Sequence, residues 1–523
     1  MLRITNIPAG ESTCQDFLVK LNGMEAQCYA ARVSAIPFNR TWPGQQRPLD
    51  QTEIAPFLTF SMDSPVCVEL EAQRAFEEVI IRPLSAHITP KTEGSTISFT
   101  IEKPGQYTVE LDGHNKALHI FANPDVDFGV SPEDENVIYF PAGIHHPGVI
   151  ELRSGQTLYI DQDAVVYGSV IAAFVENIKI LGYGILDGSL EKRDSDSNLY
   201  PCDFARRNLY YSPYCYQPSV VQTPIVAPQN PPTGTEICPT KDTLYAHFKD
   251  YDCLYGCIHI FKSNCVLING PVLRDSSTFT IIVAHGDNTV IDNVKLIGMW
   301  RYNSDGIDLF STSNCVIRNS FLRNFDDCVV LKSPNGWDTK NMENILIENC
   351  VVWCDWGKNL ELGEESDAPE YCNIIFRNCD CIHAVGINIA LSLRDSSYIH
   401  HVTYENIRVE YSKYALCSVY HAYDDMEFVP SHNVSALIHA EVHGPETTHS
   451  VDHVNGKMSD LTFRNIQILT DCEAEIPEAS IIGFDAEHDI KRVRLENITI
   501  NGKPVCMDSA LKVNAFVQDI VIK

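Results

Sequence analysis

From about residue 137 the chain repeats itself. "NIKILGYGILDG" (177), "NCVLINGPVLRDSS" (264), "NTVIDNVKLIG" (288), "NCVIRNSFLRN" (314), "NILIENCVVW" (344) and "NIIFRNCDCI" (373) share one plan, and "HVTYENIRVE" (401), "DLTFRNIQIL" (460) and "RVRLENITING" (493) continue it. Each is a short alternating β-run, an Asn or Gly, and a second short β-run. Asn269, Asn293, Asn319, Asn349, Asn378 and Asn406 follow one another at intervals of 24 to 30 residues. A period in this range signals a solenoid. Short strands with almost no helical periodicity between them predict a parallel β-helix. The hairpin turns that a propeller or a sandwich array requires are not seen. In such a coil about three strands stack on their neighbours roughly 4.8 Å away, and Asn suits the corners because it tolerates left-handed backbone.

Residues 1–125 have another texture. "FLTFSMDSPVCVELEAQ", "EEVIIRPL", "STISFTIEKPGQYTVELDG" and "ALHIFANP" are β-rich runs broken by Pro and Gly turns, which predicts an antiparallel β-sandwich. The expected chain is therefore all-β, with a β-sandwich over 1–125 and a β-helix over 126–523. Covering the exposed strand edges at one end of the β-helix is the expected role of the sandwich. Residues 189–257, rich in Tyr, Pro and Cys, break the repeat and read as a loop excursion. The excursion is the natural place for a lid or a subunit contact, and a homo-oligomer is left open. Its Cys202, Cys215, Cys238, Cys253 and Cys257 lack CxxC spacing and read as unrelated thiols.

Charge narrows the function. With 39 Lys+Arg against 69 Asp+Glu the formal net charge is -30, which repels phosphate backbones and argues against a nucleic-acid partner. No apolar run approaches the length of a membrane span, so no membrane partner is expected. The first residues lack the apolar core of a secretory signal. The 19 cysteines are scattered, with Cys315, Cys328 and Cys350 in apolar runs. Both features point to a reducing, cytoplasmic setting.

Two repeats carry acid where apolar strands are expected. "NSDGIDLF" (303–310) and "NFDDCVVLK" (324–332) place Asp305 and Asp326 21 positions apart, with Asp327 next in line. That spacing puts Asp305 and Asp326 on one side wall of adjacent coils. Strict strand geometry would send Asp326 and Asp327 to opposite faces, so one of them must lie at a bend. Carboxyls crowded in this way cannot all ionise freely, which yields a protonated acid beside an ionised base. Such a pair is the equipment of glycoside hydrolysis. Trp300, Trp337, Trp353 and Trp356 cluster in the same stretch, and indoles can floor sugar subsites.

"NSDGID" followed by "DDC" resembles the N-x-D and D-D elements of glycoside hydrolase family 28, the polygalacturonase-type enzymes of the pectin-lyase-like β-helix superfamily. The resemblance runs through "NILIENC" and "GINIALSL" to "YENIRVE". It implies an inverting hydrolase of α-linked saccharides, with Asp326 as general acid and Asp305 and Asp327 holding and activating the water. No cofactor or metal is implied. Family 49 dextranase-type enzymes, with an N-terminal sandwich and clustered aspartates, are similar in outline. Where family 28 carries Gly-His-Gly this chain reads "WGKNLELGEE", with Lys358 in place of His. Where the family carries Arg-Ile-Lys it reads "NIA" at 388–390. Lys332, Lys358 and Arg394 are the cations left to grip a substrate, and Glu361 can hydrogen-bond sugar hydroxyls or pair with Lys358. The resemblance thus implies a poly- or oligosaccharide partner without fixing the sugar. A polysaccharide lyase or epimerase on the same scaffold, and a non-catalytic carbohydrate-binding β-helix, stand as alternatives.

Overall fold

The computed structural model describes residues 1–36, 51–190, 256–301, 303–333, 340–414, 435–445, 454–471, 477–507 and 510–523. The excursion, apart from its two ends, lies outside the described residues, as does Trp337. Two sheets account for the strands. The first contains ten, from Leu2–Ile4 to Leu118–Pro124, and the second contains 31, from Val137–Phe140 to Val517–Ile522.

In the first sheet all neighbours are antiparallel except Leu118–Pro124, which runs parallel to Thr52–Met62. Val68, Leu70, Ile97 and Phe99 from one end of the strand order share a core with Val109, Leu111 and Ile120 from the other. The sheet therefore folds over on itself as a sandwich. Thr52–Met62 is buried on both faces, because alternate residues serve different cores. Leu58, Phe60 and Met62 fill the sandwich, whereas Ala55 and Phe57 face the β-helix.

The second sheet winds as a right-handed parallel β-helix in which most strands pair with the strand three earlier and the strand three later. Three columns of strands result. One contains Ile307–Phe310, Val329–Ser333, Lys358–Ser366, Ile387–Leu393 and Ala436–Val442. The second contains Ser313–Arg318, Met342–Glu348, Glu370–Arg377 and Tyr398–Glu405. The third contains Phe321–Asn324, Val351–Cys354 and Asp380–Ala384. Inward side chains stack like on like: Ile268, Ile291, Ile317, Ile347, Phe376, Tyr404 and Phe463 are successive register partners in one continuous core. The Phe376 and Tyr404 rings lie parallel at 4.5 Å.

Asn occupies corners at both ends of the second column. Asn293, Asn319, Asn349, Asn378, Asn406, Asn465 and Asn497 all have positive φ, and Asn349, Asn406, Asn465 and Asn497 each donate a side-chain hydrogen bond to the Asn of the preceding coil. Asn269 is not a corner; Gly270 takes the positive φ there. A second ladder, Asn288, Asn314, Asn344 and Asn373, caps the other end of the same strands.

The sandwich lies along the third column, not over an end of the β-helix, which corrects the capping expectation. Tyr29, Val33, Phe57 and Phe121 pack on Val165, Ile185, Val272, Phe321, Val351 and Ile382. The Phe121 ring sits 5.2 Å from Phe321 and 5.9 Å from Phe57. Polar links reinforce the seam: buried Arg82 bridges Glu110 of the sandwich and Glu410 of the β-helix. Phe121→Ala is expected to cost about 3–5 kcal/mol, as for other buried Phe truncations. Urea unfolding reads this, and a cost near zero would mean that the two sheets do not share a core.

Candidate active site

The acidic residues converge where the chain bends into the first column. Asp305 precedes Ile307–Phe310; its carbonyl accepts hydrogen bonds from the Thr280 N–H at 2.9 Å and the Thr280 hydroxyl at 2.8 Å. One coil on, the Asp327 carbonyl accepts from the Gly306 N–H at 2.8 Å, and the Lys358 carbonyl of the following coil accepts from Cys328 N–H at 2.8 Å. Three bends are thus stacked by the backbone ladder. Asp326 and Asp327 fall in the bend before Val329–Ser333, which frees both from strand alternation. A Cβ on Gly357 would lie 2.4 Å from Asp327 Oδ1 and 2.6 Å from Asp326 Oδ1. Both carboxylates therefore lie over that glycine, where no other residue would fit.

The cations are built in. Lys332 Nζ donates to Asp305 Oδ2 at 2.8 Å, with Asp308 at 3.6 Å and Glu365 at 4.0 Å. Lys358 Nζ lies 2.8 Å from both Glu361 and Glu364 and 3.9 Å from Asp327, while its backbone N–H donates to Asp327 Oδ1 at 2.9 Å. Arg394 Nε is 3.4 Å from Glu364.

These surroundings split the carboxyls. Burial, reinforced by the Asp305 and Asp327 charges, pushes Asp326 well above the usual carboxylate range. Burial also acts upward on Asp327, but the Lys358 ammonium beside it outweighs this and holds Asp327 low. Asp305 is pushed up to about 7 by burial, partly opposed by Lys332. Asp308 and Glu361, both buried, are pushed well above the usual range, first by burial and then by Asp305 and Asp327 respectively. One group is held ionised next to one held protonated.

The residues expected from sequence fall into three groups. Asp305, Asp326, Asp327, Lys332, Lys358, Glu361 and Arg394 come together. Trp356 borders them through its neighbour Gly357 and packs on Phe325 at 4.9 Å. Trp300 does not serve as a sugar platform: it is 6% exposed, and its indole N–H donates to Asp275 at 3.0 Å. Trp353 is 0% exposed, built into the seam with the sandwich under the Arg323 guanidinium. Two members escaped the sequence reading. Asp308 is 0% exposed, with no hydrogen-bond partner on either oxygen. Its signal was legible, since strand alternation turns it outward between inward Ile307 and Leu309. Glu365, the last residue of the "WGKNLELGEE" run, is 6% exposed.

The row extends beyond the carboxyls. Asp308, Val330, Glu361, Ala390 and His439 are register partners on successive coils. His439, Glu441 and His443 bring donor atoms within 4.8 Å of one another, as do Glu370, Cys372 and His400 on the second column. The positive Arg394 acts on both Glu441 and His443, which disfavours a cation at the first of these groups.

Residues 254–482 match the model of the Glycosyl hydrolases family 28. That segment is family 28-like. The exopolygalacturonase X of Aspergillus niger is 30% identical over 112 residues, 20% of this chain and 24% of that protein. The exopolygalacturonase of Cochliobolus carbonum is 29% identical over 166 residues, 27% of this chain and 35% of its own. The chain thus spans about a quarter to a third of these curated relatives. In fold it is similar to Dex49A from Penicillium minioluteum, with a TM-score of 0.61, 13% identity, and coverage of 99% of this chain and 96% of that one.

The raised carboxyls have a consequence for stability. Between 3.8 and about 7 folded Asp305 keeps a proton that the unfolded chain has released, so its contribution is full below 3.8 and is lost as pH rises through about 7. Asp308, Asp326 and Glu361 act in the same direction. Asp327 acts in the opposite one, stabilising above its unfolded value and losing that contribution as pH falls. Urea midpoints are expected to decline across the window from 3.8 to about 7. The decline should be shallower in Asp305→Asn, and an identical slope in the variant would refute the assignment.

Proposed function

We propose that this protein is a glycoside hydrolase that cleaves α-linked bonds of an oligo- or polysaccharide with inversion at the anomeric carbon. The observation that carries this reading is the division of the bend carboxyls, with Asp326 held protonated by burial and its acidic neighbours and Asp327 held ionised by Lys358. Asp326 gives its proton to the glycosidic oxygen as that bond breaks. Asp327, with Asp305, orients a water on the opposite face of the ring and takes its proton as oxygen bonds to the anomeric carbon. The Asp326 and Asp327 Oδ1 atoms both lie within 2.6 Å of one point over Gly357, closer than the roughly 6.5–9.5 Å usual for an inverting pair, so the inverting outcome is proposed from the likeness to family 28 and not from this separation. After turnover Asp326 is ionised and Asp327 protonated, and exchange with solvent restores both. Lys332 positions Asp305, and Lys358 positions Asp327.

The names of the family 28-like relatives make galacturonan the first sugar to try. One observation favours a neutral sugar instead. Lys332, Lys358 and Arg394 all lie within 4.0 Å of carboxylates of this chain, and Ala390 stands in the row beside Glu361. A uronate carboxylate entering this site would meet cations that are already paired and a surplus of acid. Bidentate recognition calls for an unengaged Arg.

The test is proton NMR of products from oligogalacturonides and isomaltooligosaccharides, with wild type and Asp326→Asn. The inverted anomer is expected first, with kcat reduced about 10²–10⁴-fold in the variant, as for loss of a general acid. A retained anomer, an unsaturated product, or equal turnover by both proteins would each overturn the mechanism.

A further inference from the structure

The second column of the β-helix carries a departure from its own pattern. Glu343, Cys372 and His400 are direct register partners on three successive coils, and parallel partners stand about 4.8 Å apart. Glu370, two positions before Cys372 on the same strand, projects to the same side. Donor atoms of Glu370, Cys372 and His400 all lie within 4.8 Å of one another, and Glu343 Oε2 is 3.9 Å from Cys372 Sγ. A carboxylate, a thiol and an imidazole therefore face one point, with the Glu343 carboxylate beside the thiol.

Three further observations point to a ligand there. Among the described residues neither Glu343 nor Glu370 has an ion-pair partner, and Glu370 accepts a long hydrogen bond from Asn341 Nδ2 at 3.5 Å. His400 Nδ1 lies 2.7 Å from His401 Nδ1, a contact that needs one proton between the two rings. With His400 as donor its Nε2 carries a lone pair, and that nitrogen is buried with no hydrogen-bond partner. Finally, His401 has φ 53° and stands at the corner where the two preceding coils carry Asn344 and Asn373. The Asn run ends at this histidine, and the following coils carry Asp460 and Arg492 at the same corner. An outer hydrogen bond that fixes the tautomer is the usual accompaniment of a ligating histidine.

We propose that Glu370, Cys372 and His400, with Glu343 alongside, bind a divalent transition-metal ion of the Zn²⁺ class. Thiolate and imidazole select a borderline metal over Ca²⁺ or Mg²⁺, which take oxygen donors. Three protein donors fill three positions of a tetrahedral site, and Glu343, 3.9 Å from the thiol, stands next to the fourth. Binding replaces the Cys372 S–H bond with a sulfur–metal bond and releases the proton to solvent. The ion ties together successive coils on a column that carries none of the bend carboxylates, so it is a staple and not part of the hydrolytic chemistry.

The experiment strips the full chain with a chelator, then loads it with Co²⁺ as a spectroscopic probe or with Zn²⁺ for metal analysis after dialysis. Wild type is expected to show a thiolate-to-cobalt charge-transfer band with tetrahedral ligand-field absorption. Cys372→Ser is expected to abolish the charge-transfer band. Both Cys372→Ser and His400→Gln are expected to lose one equivalent of Zn²⁺, so either variant serves should the other fail to fold. His439→Gln, at the oxygen- and nitrogen-donor group on the first column, is expected to leave the thiolate band intact. A wild type without that band, a band that survives both substitutions at the site, or one lost in His439→Gln would overturn the proposal.

Discussion

The parallel backbone ladder is the constraint on which the rest of this structure depends. Because each coil bonds to the next in register, a residue's neighbours are set by its place in the period and not by its distance along the chain. The ladder turns isoleucines from distant segments into one continuous core and stacks corner asparagines into side-chain ladders. It likewise brings three acidic or glycine-bearing bends over one another. Asp305, Asp326 and Asp327 owe their proximity to the carbonyls of Asp305, Asp327 and Lys358 lying on consecutive rungs. Once the ladder is fixed, site geometry follows from which side chain stands at each bend.

Crowding so many carboxyls in a buried place is costly, since removing a charge from water costs several kcal/mol even after relaxation. Two devices make it tolerable. Several of the carboxyls stay protonated, so they bring no charge into the interior. Lys332 and Lys358 neutralise the remainder, each rooted on its own coil and reaching the bend of an earlier one. Neither pair needs to stabilise the fold. Their effect is to choose which carboxyl keeps its proton, and replacing either lysine by an apolar residue would change that choice more than it would change packing.

Much of this was legible in the sequence, for reasons that can be named. A β-helix repeats locally, so its corners, strands and interior are written in each period, and the acidic bends stand out against that background. What was lost depended on contacts that the period does not encode. Trp353 looked like a sugar platform because it sits near the acidic segments in sequence. Its burial is decided by the sandwich, whose Tyr29, Phe57 and Phe121 come from far upstream. The sandwich was expected over an end for the same reason: nothing in a repeat says which of its outer faces will be covered. Asp308 and Glu365 were missed differently. Their outward direction follows from alternation and register, but the three conspicuous aspartates drew the reading away from them.

The docking of the sandwich also explains where chemistry can reside. Val165, Ile185, Val272, Phe321 and Val351 form an outer row on the third column broken only by buried Lys295, whose ammonium donates to Asn123 of the sandwich, and the sandwich covers this largely apolar row. Farther along, the same row turns charged at Asp380 and Arg408, partners on adjacent coils that bond to each other. The outer rows of the other two columns carry Asp308 and Glu361 on one and Glu343, Cys372 and His400 on the other. Outward positions on those columns do not have to be apolar to keep the domains together. One face of the triangular coil is committed to holding the molecule as a unit, and the other two are left to carry polar groups that a core would exclude.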